Sequence, residues 1–105
     1  MSDFDSLYDI KDGCLLLYGI KNDILPDDTA KFLTGGIATD GKINFEEGRI
    51  EVCAKFDYAD GFWPAIWMLP DIKYHWPYDG EIDIMEHLNF DTHIYQTVHT
   101  HYTHN

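Results

Sequence analysis

Four Asp-Gly pairs punctuate this chain: Asp12-Gly13, Asp40-Gly41, Asp60-Gly61 and Asp79-Gly80. Asp-Gly between apolar runs is a strong short-range hairpin signal, because these two residues adopt the left-handed conformations of a type I′ turn at least cost. The runs around them, at 14–20, 31–38, 42–45, 48–57, 62–69, 80–88 and 93–102, are short and either apolar or alternating. No segment carries a sustained i, i+3, i+4, i+7 stripe with caps. The spacing therefore predicts an all-β fold. Residues 48–57, GRIEVCAKFD, predict a half-buried antiparallel strand. Ile50, Val52, Ala54 and Phe56 would face one side; Arg49, Glu51, Cys53 and Lys55 would face the other. Residues 93–102 also alternate, with His93, Tyr95, Thr97, His99 and His101 forming a polar, aromatic face.

A length of 105 residues suits one small domain. Nineteen acidic residues against seven basic ones give a net charge of −12. Such a chain cannot neutralise a run of phosphates, so nucleic acid is an unsuitable partner, as is an anionic membrane surface. A neutral or weakly charged ligand such as a polysaccharide fits, and so does plain solubility. Aromatics make up 15% of the residues, more than a minimal core needs, so some are candidates for a binding surface. Cys14 and Cys53 are too few for a disulfide framework and are expected to be unpaired and buried. No apolar run approaches the ~18–20 residues of a membrane helix. The acidic start MSDFDSLYDI lacks the basic and apolar regions of a signal peptide, so the signal of an exported protein would lie outside this chain.

The most informative stretch is GEIDIMEH, residues 80–87. Alternation puts Glu81 and Asp83 on one strand face and Ile82 and Ile84 on the other. Strict alternation would then bury Glu86. A β-bulge at Ile84–Met85 adds one residue and returns Glu86 to the face of the other two acids. Three carboxylates on one face repel each other, which gives a purely structural strand nothing. In a cleft, crowding and partial burial let one carboxyl keep its proton near neutral pH while its neighbour stays ionised. Glu81 and Glu86 would stand roughly 13 Å apart at Cα, counting ~3.3 Å per strand position. Side chains leaning together across a concave sheet would bring the carboxyls to about 5–6 Å, near the spacing of a retaining glycosidase. From the residues alone, a solvated acidic edge that blocks strand aggregation is an equal reading.

The pattern E-[IL]-D-x-x-E resembles the catalytic motif of glycoside hydrolase family 16, the laminarinase-like endo-β-glucanases, in its bulged form. GRIEVCAKFD (48–57), GFWPAIWMLP (61–70), TVHT (97–100) and TGGIATDGKINFEEGR (34–49) are similar to further family segments, in order, over roughly residues 30–105. The last of these corresponds to a hairpin. The resemblance implies a β-sandwich jelly roll of two antiparallel sheets with a substrate cleft across the concave one. It implies endo-acting hydrolysis with retention, of a β-1,3-glucan by default. Glu81 would be the nucleophile, Asp83 the assisting carboxylate and Glu86 the acid/base. Trp63 and Trp67 correspond to cleft tryptophans, whose alternative is core packing. Arg49 corresponds to an arginine that bonds sugar hydroxyls or the acids, and His99 to a histidine beside the catalytic strand. Cys53 stands where many members have a second arginine. The family domain runs to more than twice this length, so the resemblance implies that residues 1–105 are its N-terminal part. No cofactor is implied; some relatives hold a structural calcium on the convex sheet, and no ligand set for it is visible here.

Other features stay open at this level. His99, His101 and His104 make a His-x-His tail that polar cleft lining explains better than zinc or copper. Tyr74, Trp76 and Tyr78, in DIKYHWPYDG, would either border an outer subsite or cap the core. Asp27-Asp28 and Glu46-Glu47 read as solvated charges. Besides a hydrolase of glucan, galactan or mucin-type glycans, the alternatives are a non-catalytic glycan-binding lectin-like module and an inert fragment. The carbohydrate readings place the protein outside the cytoplasm, as a secreted, periplasmic or cell-surface protein.

Overall fold

The computed structural model describes residues 2–44, 46–71 and 75–103, so His104 and Tyr74 lie outside the described residues. The described chain is all-β: seven strands in three antiparallel sheets, with two single-turn 3-10 helices at Asp5–Leu7 and His101–Thr103. The expected jelly-roll class is borne out at this level, by antiparallel sheets with almost no helix. Two compact units divide the chain, residues 1–39 and 40–105.

The first unit begins with β1 (Tyr8–Lys11) and β2 (Cys14–Leu17), paired from Tyr8↔Leu17 to Lys11↔Cys14. Asp12 and Gly13 close this hairpin with φ of 52° and 76°, as a type I′ turn requires. Next, β3 (Gly19–Lys21) pairs with β4 (Phe32–Thr34). Leu7 and Leu33, both in this unit, are the buried apolar side chains among the described residues. The Leu7 carbonyl accepts from Tyr18 N–H at 2.9 Å, and the chain at Gly35 passes close against it. A Cβ on Gly35 would stand 2.7 Å from that carbonyl oxygen, so only glycine fits there. The β1 strand escapes the sequence reading because YDIK carries a single apolar residue, Ile10, and that residue is 79% exposed.

The second unit contains one three-stranded sheet in the order β5 (Ala65–Met68), β6 (Glu81–Glu86), β7 (Tyr95–His99). Its central strand is GEIDIMEH without its ends, hydrogen-bonded on both sides. Two expectations need correction. Residues 48–57 form no strand; they alternate as expected, yet no described segment runs beside them in hydrogen-bonding register. Residues 34–49 likewise close no hairpin: Asp40-Gly41 makes a turn with no ladder behind it among the described residues. Alternation sets which side a residue faces, whereas a ladder needs a partner segment as well. The expected facing is retained only in part. Ile50, Val52, Ala54 and Phe56 line a groove of about 480 Å³ with Ile66, Ile84, Met85 and Ile94, and Glu51, expected on the opposite face, lines it as well. Cys14 and Cys53 are unpaired as expected but exposed rather than buried, since Cys14 sits on an open hairpin and Cys53 in the unladdered segment.

Candidate active site

The site is built by a bulge. Across β5 and β6 the partners are Ala65↔Glu86, Ile66↔Met85, Trp67↔Asp83 and Met68↔Ile82, so Ile84 has no partner of its own. Across β6 and β7 the register runs Glu81↔His99, Asp83↔Thr97, then Glu86↔Tyr95: three steps on one strand against two on the other. The extra residue sits at Ile84–Met85, where the alternation requires it. Its effect is to place Glu81, Asp83 and Glu86 on one face. All three line a cleft of about 250 Å³ with Trp63, Ala65 and Trp67. The tryptophans present 63% and 43% of their surface, so neither serves as core packing.

Each acid has a dedicated partner. Trp63 Nε1–H donates to Glu86 Oε1 at 2.8 Å, and Trp76 Nε1–H donates to Glu81 Oε2 at 2.6 Å. Asp83, 4% exposed, lies between them and takes an ion-pair contact from His99 Nε2 at 3.0 Å. His99 reaches it from the strand opposite Glu81, and its ring centroid is 5.8 Å from that of Trp76. A buried carboxylate needs such a partner, because an isolated charge out of water is costly.

The loops at the strand ends hold this arrangement. Before β6, the Asp79 carboxylate accepts from His75 N–H at 2.8 Å, and Tyr78 N–H donates to His75 O at 2.7 Å. This folds residues 75–80 into a turn that delivers Trp76 to Glu81. Gly80 completes it with φ of 93°, a value that favours glycine. After β6, Asn89 adopts φ of 51°; its side chain accepts from Gly61 N–H at 2.7 Å and its own N–H donates to Phe62 O at 2.9 Å. His87, buried at 6% exposure, contacts the Asp91 carbonyl through Nε2 at 2.7 Å and faces Phe56 at a ring distance of 5.2 Å. On β7, Tyr95 donates to Asp91 Oδ2 at 2.7 Å. That hydrogen bond, with some desolvation and the Asp91 charge, raises the Tyr95 phenol above its ordinary pKa.

The structure thus gathers Glu81, Asp83, Glu86, Trp63, Trp67 and His99. It does not gather Arg49. The Arg49 guanidinium pairs with Glu51 at 2.6 Å, largely exposed, and is absent from the cleft lining. With no ladder at 48–57, nothing pins that side chain toward the acids. Trp76 has a role at the acids that neither the outer-subsite nor the core-cap reading anticipates; its signal was an aromatic five residues before Glu81 in a turn-forming loop. Asp79 is legible in the sequence only as a turn residue before Gly80, and Asn89 carries no signal beyond its turn-prone type. Tyr78 stacks on His101 with centroids 4.7 Å apart. Among the described residues no three His, Cys, Asp or Glu side chains converge on a metal position.

Paired carboxylates beside indole rings on an open antiparallel sheet are the equipment of the glycoside hydrolase class. Residues 39–105 match the XgeA-like, catalytic GH16 domain. The chain belongs to glycoside hydrolase family 16. It is 40% identical over 95 residues to the keratan-sulfate endo-1,4-beta-galactosidase of Sphingobacterium multivorum, covering 88% of this chain and 22% of that protein. It is 41% identical over 80 residues to a beta-glucanase of Rhodothermus marinus, covering 71% and 28%. It is 41% identical over 63 residues to the glucan endo-1,3-beta-glucosidase A1 of Niallia circulans, covering 58% and 9%. The chain therefore spans less than a third of the length of each of these relatives.

Proposed function

We propose that this chain carries the catalytic centre of an endo-acting, retaining hydrolase of β-linked polysaccharide. The observation behind the reading is the bulge that turns Glu81 and Glu86 into one tryptophan-walled cleft. In the first step the Glu81 carboxylate attacks the anomeric carbon while Glu86 gives its proton to the glycosidic oxygen. The bond to the leaving sugar breaks, that sugar departs as an alcohol, and a glycosyl ester on Glu81 remains. In the second step Glu86, now a carboxylate, takes a proton from water. The water oxygen bonds to the anomeric carbon and Glu81 is released, so two inversions give net retention. Asp83, held by His99, lies beside Glu81 on the strand face and aligns it. Trp63 and Trp67 offer ring faces to the apolar side of a pyranose, a surface suited to an uncharged sugar.

For the substrate we favour a β-1,3-glucan. The bulged acid motif and the likeness to an endo-1,3-beta-glucosidase support it, while the likeness to a keratan-sulfate galactosidase makes galactan the comparison substrate. Polymers of this kind lie outside cells, so the reading carries an exported protein with it. The test is reducing-end release from laminarin and from keratan-type galactan, with Glu81→Gln and Glu86→Gln beside the unmutated protein. Release from laminarin that both substitutions abolish is the expected result. Laminarin binding with no release by the unmutated protein would make the cleft a lectin-like binding face.

A further inference from the structure

We infer that Trp76 is a positioning residue for Glu81, acting through its indole N–H rather than only by stacking on sugar; this rests on the catalytic reading above. An indole N–H donates and never accepts, so it takes no part in moving a proton. What it does at 2.6 Å from Glu81 Oε2 is fix the plane of the carboxylate, which aims the other oxygen, Oε1, along one line. A charge-assisted bond of this kind is both short and directional.

The surroundings show that Trp76 is held for the purpose. Asp79 pins the turn that carries it, through His75 N–H. Its ring packs near His99, the residue that holds Asp83. The acid at the far end of the bulge has a matching arrangement in Trp63 and Glu86. Two indoles thus hold two glutamates, one each, from opposite loops of the same sheet. Each glutamate keeps its own donor, so the two carboxyls are not free to turn toward each other or away from the cleft. A tryptophan that only stacked on sugar would be replaceable by phenylalanine at the cost of affinity alone. Trp76 is expected to behave otherwise.

Nuclear magnetic resonance of the full chain with 15N-labelled indoles tests this without relying on activity. The Trp76 N–H resonance, assigned by its disappearance in Trp76→Phe, is expected to move as acid protonates the carboxylates. That movement should vanish in Glu81→Gln and persist in Glu86→Gln, with the Trp63 resonance doing the reverse. A Trp76 resonance indifferent to Glu81→Gln overturns the inference. In hydrolysis assays Trp76→Phe should lower kcat by roughly tenfold to a hundredfold at little change in KM, the scale of one hydrogen bond to a charged group. A raised KM at unchanged kcat would equally overturn it. Failure of the unmutated protein to cleave any glycan would sink the catalytic reading and leave the indole titration standing.

Discussion

Two stretches of the second unit carry the same sequence signal and end differently. Residues 81–86, apart from the extra residue at Ile84–Met85, and residues 48–57 both alternate apolar and polar side chains. The first is the centre of a three-stranded sheet; the second pairs with nothing among the described residues. Both still send apolar residues to one groove, Ile84 and Met85 from the strand, Ile50 and Val52 from the unladdered segment, with Glu51 beside them. Alternation is thus a statement about faces. Whether hydrogen bonds follow depends on the segments that come to lie alongside. β6 meets β5 through a turn pinned by Asp79, and β7 through a turn held by Asn89. The Asp40-Gly41 turn before 48–57 leads to no such neighbour.

The sharpest way to break this comparison is to make β6 alternate strictly. Exchanging the last two residues, Met85→Glu together with Glu86→Met, gives a strictly alternating sequence, but the bulge turns position 85, like Ile84, to the apolar groove and so takes that carboxyl out of the cleft. Hydrolysis should fall by about 10²–10⁴-fold, the usual contribution of a positioned general acid, measured as reducing ends released. Activity close to that of the unmutated protein would show that the bulge does not set the face. A smaller effect separates the two stretches energetically. Met85→Asn places an amide on the half-buried back of a paired strand and should cost about 1–3 kcal/mol in a denaturant melt. Val52→Asn, at a position 55% exposed, should stay within about 0.5 kcal/mol. The smallest effect is at the end of β7. Tyr95 holds its proton above the ordinary phenol range because it donates to Asp91. The raised value means that this bond's contribution is fully present below the ordinary phenol range and is lost as pH rises through the raised value. Ultraviolet titration should show one phenolate appearing earlier in Asp91→Asn than in the unmutated chain.

The acids were legible in the sequence because three carboxylates interleaved with Ile and Met contradict any ordinary strand. Resolving that contradiction required a bulge at Ile84–Met85, and the register shows one there. The turn at Asp12-Gly13 was legible for a similar local reason. What stayed hidden depended on contacts far apart in sequence. Nothing in GRIEVCAKFD reveals whether a neighbour will pair with it, so neither its missing ladder nor the pairing of Arg49 with Glu51 was legible there. Trp76 was visible as an aromatic but not as a donor to Glu81, since that role depends on the turn made by Asp79. Asn89 fixes the opposite loop through Gly61, 28 positions away, a pairing that no local pattern encodes.

Trapping the intermediate tests the central claim most directly. A 2-deoxy-2-fluoro β-glycoside with a good leaving group slows the second step, and mass spectrometry of the digested protein then locates the sugar. The account predicts a glycosyl ester on Glu81, formed in the unmutated protein and absent from Glu81→Gln. A sugar attached at Glu86 or Asp83, or hydrolysis that yields the inverted anomer with no adduct at all, would contradict it.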